Sequence, residues 1–223
     1  MRILMLGAGK TGSLVAEVAR EHGHTVRVLD INDNPNASAL TPTLLADFDT
    51  AIDFTAPEAA AANITAVLSA GARIVVGTTG WYARLPEFRA LAAAKGGALL
   101  YGTNFSIGVQ KLFQLTAELA RLEGYKFHIT ETHHATKLDA PSGTAITLHQ
   151  ILEAAGRSAE ITSLREGDAR GTHVVHAESE ADFLEVKHEA HSRRGFAEGA
   201  VAAAEWVNGK AGCWEFREIF PQL

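Results

Sequence analysis

The first hundred residues alternate between short apolar runs and stretches with helical periodicity. Arg2-Ile3-Leu4-Met5-Leu6 is nearly all apolar, the pattern of a strand buried on both faces. Thr25 to Asp30, Thr50 to Thr55, Ala72 to Val76 and Ala98 to Tyr101 read as further strands. Between them, Ser13 to His22 places Leu14, Val15, Val18 and Ala19 on one helical face. The alanine-rich Glu58 to Ala70 and Pro86 to Lys95 predict two more helices. Such alternation predicts an α/β domain with a doubly wound parallel sheet. After residue 108 the pattern changes. Val109, Leu112, Phe113, Thr116, Leu119 and Ala120 form a helix stripe, and Tyr125 to Glu131 alternates as a strand. A helix over Thr144 to Ala155 comes next. Glu160 to Leu164, Thr172 to Glu178 and Phe183 to Ala190 then follow as strands. One helix pair against several strands predicts a smaller α+β domain with an open mixed sheet covered on one face. Ala197, Ala200, Val201, Ala204 and Val207 form a last helix, stopped at Asn208-Gly209 and expected to return to the first domain. The division is therefore 1–104 with 195–223, and 105–194 between them.

Composition narrows the class. At 223 residues with 47% hydrophobic and 21% charged side chains, the chain resembles a soluble globular enzyme. A formal net charge of -6 argues against nucleic-acid binding, since no basic surplus exists to neutralise phosphates. No apolar run approaches the ~20 residues of a membrane span, and the first twelve residues read as strand and turn rather than signal peptide. A single cysteine, Cys213, fits a reducing cytoplasm.

The first strand runs directly into Gly7-Ala8-Gly9-Lys10-Thr11-Gly12, followed by a helix, a second strand and Asp30, eighteen residues beyond Gly12. That is the dinucleotide fingerprint in its proper setting, and it makes the domain Rossmann-type. Gly7 permits the tight turn, Gly9 lets a pyrophosphate approach the backbone, and Gly12 lets the helix sit close to the sheet. A nucleoside-triphosphate loop ending in Lys10-Thr11 would need glycine where Leu4 stands. Asp30 would accept from ribose hydroxyls and repel a 2′-phosphate, and Ile31-Asn32-Asp33 supplies no arginine. NADH is therefore expected over NADPH. Ligands of such sheets collect at the carboxyl ends of strands, which places Gly77, Thr78 and Thr79, and Gly102, Thr103, Asn104 and Phe105, near the nicotinamide.

Residues Glu131 to Ala145 concentrate the remaining chemistry: two imidazoles, an ammonium, two carboxylates and four hydroxyls. Pro141 ends the extended segment, and Ser142 is a good N-cap that leaves the amides of Gly143 and Thr144 for an anion. Lys137 adds a full positive charge nearby. Seven of the ten histidines fall between His133 and His191, so acid–base groups gather in this half.

Glu131-Thr132-His133-His134-Ala135-Thr136-Lys137-Leu138-Asp139-Ala140-Pro141-Ser142-Gly143-Thr144-Ala145 closely resembles the signature of the dihydrodipicolinate reductases. Ile52 to Thr55, Gly77 to Gly80, Asn104 to Val109 and Phe196 to Ala200 support the likeness. The resemblance implies NAD(P)H-dependent reduction of a cyclic unsaturated dicarboxylate in lysine biosynthesis, with His133 and Lys137 catalytic. It also implies substrate contacts from His134, Ser142, Gly143, Thr144 and Arg193, and a homo-oligomer, tetramer or dimer. The chain departs from the family in a first turn one residue shorter, without methionine, and in a clipped segment between Asp168 and Gly171. Two other readings stay open on the residues alone: an NAD-dependent amino-acid dehydrogenase of the same two-domain plan, and a non-catalytic dinucleotide sensor. No metal is expected, because the adjacent His133 and His134 point to opposite faces of an extended chain.

Overall fold

The structure is a computed structural model and describes residues 1–223. In chain order its elements are β1 (Arg2–Leu6), α1 (Lys10–Glu21), β2 (Thr25–Leu29), α2 (Pro42–Leu45), β3 (Thr50–Asp53), α3 (Pro57–Ser69), β4 (Arg73–Val76), α4 (Leu85–Lys95) and β5 (Ala98–Tyr101). They continue with α5 (Ile107–Leu119), β6 (Lys126–His133), α6 (Gly143–Ala154), β7 (Ala159–Arg165), β8 (Thr172–Glu178) and β9 (Phe183–Glu189), and end with α7 (Arg194–Val207), β10 (Gly212–Glu215) and α8 (Phe216–Ile219). The chain divides into two compact units, residues 1–106 with 193–223, and residues 107–192.

In the first unit six parallel strands lie in the order β10-β5-β4-β3-β1-β2. β3, β5 and all but the first residues of β1 and β4 are buried on both faces, which suits the apolar runs of β1, β4 and β5, while β3 also buries Thr50 and Asp53. Helices α1 and α7 cover one face through Val15, Val18, Ala19, Ala200, Val201 and Ala204. Helices α3 and α4 cover the other through Ile64, Val67, Leu68 and Phe88. The sheet thus has the doubly wound form read from the sequence, and α7 returns to it. The strand β10, which the periodicity does not reveal, extends the sheet beside β5. Its four residues, Gly-Cys-Trp-Glu, carry only two apolar side chains, too short a signal against the preceding Asn208-Gly209 stop. The order of strands reverses between β1 and β3, so the crevice beyond their carboxyl ends is the topological switch point of the sheet.

In the second unit four strands lie in the order β7-β6-β8-β9, with β6–β7 parallel and the remaining pairs antiparallel. Helices α5 and α6 bury Leu112, Phe113, Leu148 and Leu152 against Phe127, Ile129, Val175 and Ala177. The stripe on α5 is therefore core. The strands begin and end within two residues of the spans read from alternation. β6 runs on through His133, which the alternation alone ends at Glu131. No helix is long and apolar enough to cross a membrane.

Two glycines mark backbone contacts with no room for a side chain. A Cβ at Gly12 would lie 2.2 Å from the carbonyl oxygen of Gly7, and one at Gly199 would lie 1.8 Å from that of Phe105. At Gly9, by contrast, a Cβ would meet nothing within 4 Å. Gly12→Ala and Gly199→Ala are expected to lose about 1–3 kcal/mol or more from overpacking, while Gly9→Ala stays within about 0.5 kcal/mol of wild type. Thermal melts of the three variants check this; equal losses at Gly9 and Gly199 would refute the packing account.

Candidate functional site

Each unit carries its own site. In the first, α1 starts at Lys10 behind Gly9, which offers no side-chain cap, and its first turn holds no acid. The leading amides of this helix are therefore left for an external anion. Gly7 takes φ +97, and a Cβ there would stand 2.5 Å from the carbonyl oxygen of Phe54, so the turn is specific to glycine. Beyond the turn opens a cavity of ≈ 680 Å³ lined by Gly7, Gly9, Asp30, Asn34, Phe54 and Asn63 among others. Its charged lining consists of Asp30 and Glu58, with no lysine or arginine. Asp30 closes β2 with Oδ1 accepting from the amides of Asn32 (2.7 Å) and Asp33 (3.1 Å), which fixes its carboxylate at the cavity wall. An open helix start at Gly9, a cavity at the switch point and an acid at the end of β2 fit a dinucleotide.

A second recess is lined by Gly9, Lys10, Thr11, Thr55, Gly77, Thr78, Thr79 and Arg193. Arg193 thus belongs to the first unit, at the N-cap of α7, rather than to the 105–194 segment in which the sequence division puts it. The reason is local: α7 starts at Arg194 and packs on α1, carrying its cap residue along. Thr78 serves the scaffold with its side chain. Its hydroxyl donates to Asp53 Oδ1 at 2.7 Å, and its carbonyl accepts from Trp81 Nε1 at 2.7 Å. Asp53 is wholly buried and accepts also from the Thr55 amide and hydroxyl and from Asn63 Nδ2. Four donors without a cation hold this carboxylate and lock the ends of β3 and β4 together. Phe105 is core as well, packed between Phe54 and Phe216, with Gly102 and Gly199 kept small around it. Asn104 turns its Oδ1 onto the amide of Ser106 at 2.8 Å. Thr103 is exposed beside them.

In the second unit the alternation of β6 sets the arrangement. Phe127 and Ile129 face the core, and by parity so do Glu131 and His133. Glu131 is 0% exposed and His133 is 9% exposed. Both oxygens of Glu131 accept from the amide of Ser142 at 3.1 Å, and Oε1 also accepts from Arg165 Nη2 at 3.1 Å. The antiparallel register sets His173 of β8 opposite Glu131. Ser142 Oγ lies 3.1 Å from His173 Nε2 and caps α6 by accepting from the Ala145 amide at 3.3 Å. The rings of His133 and His173 meet edge to face, centroids 5.0 Å apart. Burial tends to raise the pKa of Glu131, but hydrogen bonds from Ser142, Ser163 and Arg165 outweigh it and hold the group below the usual carboxylate range. Burial pushes His133 down, against the pull of Glu131 and with help from Lys137. Burial, reinforced by His133, pushes His173 down to about 4. Both rings are therefore held toward neutrality.

Beyond β6 the loop exposes what the strand hides. Lys137 Nζ pairs with Asp139 at 2.7 and 2.8 Å, and His134 Nδ1 lies 2.8 Å from Thr136 Oγ1. Ser142 is the N-cap read from the sequence. It stands at the head of α6 with Gly143 exposed and Thr144 half-buried behind it. The structure thus brings His133, Ser142, Gly143 and Thr144 into one strand–loop–helix passage together with Lys137 and His134. Sequence reasoning missed Glu131, Arg165 and His173 as members of this site. The first could have been found from a carboxylate at a core position of an alternating strand; the other two depend on sheet register. Register also brings donor atoms of Glu131, His133 and His173 within 4.8 Å of one another, a grouping that reasoning from the adjacent His133 and His134 does not foresee. Ser142 and Arg165 already occupy the oxygens of Glu131, so the cluster is organised as an ion-pair and hydrogen-bond network.

Comparisons with known proteins agree along the whole chain. Residues 1–105 match the family described as dihydrodipicolinate reductase, N-terminus, and residues 108–220 match its C-terminus. The 4-hydroxy-tetrahydrodipicolinate reductase of Christiangramia forsetii is 37% identical over 240 aligned residues, covering 100% of this chain and 99% of that protein. Its counterpart in Natronomonas pharaonis is 35% identical over 243, covering 96% and 97%. Among solved structures, dipicolinate-bound dihydrodipicolinate reductase from Paenisporosarcina sp. TG-14 superposes with a TM-score of 0.82 at 20% identity, covering 98% and 99%, a likeness of fold.

The depressed pKa of His173 carries a stability signature. An unfolded histidine titrates near 6.5, whereas the folded one titrates at about 4. Between these values the unfolded chain binds a proton that the folded chain refuses, so stability falls as pH drops from ~6.5 toward ~4 and this contribution changes no further below. The loss from this group should be on the order of 2–3 kcal/mol, and His173→Gln should remove it. Urea midpoints for both proteins at pH 7.5 and 4.5 read it; identical pH dependence would be the contrary result.

Proposed function

We propose the following reading from the premise that the chain belongs to the dihydrodipicolinate reductase family. The protein is an NAD(P)H-dependent oxidoreductase that reduces 4-hydroxy-tetrahydrodipicolinate to tetrahydrodipicolinate, the 4-hydroxyl leaving as water, in the route to diaminopimelate and lysine. The observation that carries the site assignment is the passage from Glu131 to Ala145, which puts a buried imidazole, a cation and a capped helix start into fifteen consecutive residues.

When bound, the nicotinamide supplies the hydride. The chain supplies the rest. The exposed Gly143 amide at the start of α6 receives one carboxylate of the ring, and Thr144 and His134 contact the substrate beside it. Lys137 trades Asp139 for a second carboxylate. Neutral His133 is then in reach of a doubly negative ligand, which raises its affinity for a proton where the ring needs one. Proton donation thus becomes linked to occupancy, and His133 with Lys137 forms the donor pair. Arg193, beside Lys10 and Thr11, adds a third cation for substrate anions. In the first unit the amides behind Gly9 hold the pyrophosphate, and Asp30 takes the adenosine ribose.

The acids lining the cavity support NADH over NADPH, since a 2′-phosphate there would meet Asp30 and Glu58 and no base. The kcat/KM for NADH should exceed that for NADPH, and the ratio should fall in Asp30→Ala; a strong NADPH preference in wild type would refute this. A coupled assay following NADH loss with enzymatically made substrate tests the reaction itself. His133→Ala should lower kcat on the order of 10²-fold with cofactor affinity kept, and Lys137→Ala should damage both kcat and KM. Equal loss of NADH binding in the two variants would contradict the division of roles.

A further inference from the structure

Glu131 opens the passage just described and has no task in the reading above. We infer that Glu131 is a positioning residue: it accepts the Nδ1 proton of His133 and, through the Ser142 amide, ties that imidazole to the anion-binding start of α6. The inference rests on the proposed function and deepens it.

The geometry is asymmetric in a telling way. Nδ1 of His133 is buried, makes no hydrogen bond, and lies 3.4 Å from Glu131 Oε2. The opposite edge of the ring faces Gly171, where a Cβ would approach Nε2 to 3.2 Å; there φ is +126 and no side chain stands. One nitrogen is thus directed at a carboxylate and the other at the space a glycine keeps open. A small rotation converts the 3.4 Å approach into a charge-assisted bond, which places the transferable proton on Nε2. Catalytic hydrogen bonds of this kind are commonly long before ligand binds and tighten afterwards. Glu131 has no freedom to retreat, being wholly buried and clamped by Ser142 and Arg165. Its contact with Ser142 means that anything drawing on the head of α6 also draws on the partner of His133. The groups facing His133 in this unit are Glu131 on β6, Lys137 and Asp139 in the loop, Arg165 on β7 and His173 on β8, with His188 of β9 behind His173. Glu131 is the one buried carboxylate among them and is the counter-charge a protonated ring would use.

The test compares wild type with Glu131→Gln and Glu131→Asp by steady-state kinetics, by the pH profile of kcat, by melting temperature, and by ¹⁵N resonances of the His133 ring with dipicolinate as probe. Glu131→Gln should lose on the order of 10²-fold in kcat with a smaller change in KM, and the limb that reports His133 deprotonation should move to lower pH. The Nδ1–H tautomer of His133 should be lost, and Glu131→Asp should recover part of each effect. A variant that melts lower yet keeps the wild-type pH profile and tautomer would overturn the inference and leave Glu131 a purely structural residue. Should Glu131→Gln not fold, the wild-type ring decides: a hydrogen-bonded Nδ1–H resonance in the dipicolinate complex supports the pairing, and an Nδ1 without a proton overturns it. Failure of the functional reading looks different, as wild type would not turn over the dicarboxylate while the ring resonances still report on Glu131.

Discussion

A buried carboxylate must be paid for in partners, and the parity of one strand puts Glu131 where that rule bites. Side chains two apart on β6 share a face, so the face that buries Phe127 and Ile129 also buries Glu131 and His133. An isolated charge there would cost many kcal/mol, far more than a small domain has to spare. The structure answers with an amide from the head of α6 and a guanidinium from β7, while the imidazole of β8 set opposite is hydrogen-bonded to Ser142. Removing either donor leaves the carboxylate short, so β6, β7 and α6 are held in mutual register by a single acid. The Ser142 cap, and with it the head of α6, is placed by that acid as well as by the loop that precedes it.

The first unit solves the same problem without a cation. Asp53 is equally buried, yet its donors are an amide, two hydroxyls and a carboxamide. All four are neutral dipoles, from Thr55 just after β3, Thr78 just after β4 and Asn63 on α3. Thr78 and Thr79 both line the recess, yet Thr78 gives its hydroxyl to the scaffold. Strand-end position predicts proximity to a ligand; it does not predict which neighbour turns outward.

How much of this was legible in the sequence follows from the range of the interactions. The doubly wound sheet was readable because strands buried on both faces are apolar without interruption, and the dinucleotide turn because glycine spacing is a local constraint. The Ser142 cap was readable for the same reason: a cap acts over three residues. β10 was not, since four residues with a charged end carry too little pattern, and its pairing with β5 joins residues more than a hundred positions apart. Arg165 and His173 were equally invisible, for they reach Glu131 only through the register of β6 with β7 and β8. Glu131 itself was half visible. Its parity is present in the sequence, but an alternating run is ordinarily read for its apolar members, and an acid at the next core position looks like the strand's end.

Gly9, Gly12 and Gly171 show why one residue type can serve opposite ends. At Gly12 the backbone of the preceding turn already fills the space a side chain would take, so the residue is demanded by packing. At Gly9 the space is vacant and the residue is demanded by what must enter. Gly171 stands between these cases: its backbone has φ +126, and a Cβ would press on the outward nitrogen of His133 from 3.2 Å. A side chain there would crowd the outer edge of the ring, on the side away from Glu131. The surroundings of the imidazole are thus set by two residues, Glu131 on β6 contributing a charge and Gly171 just before β8 contributing nothing but room.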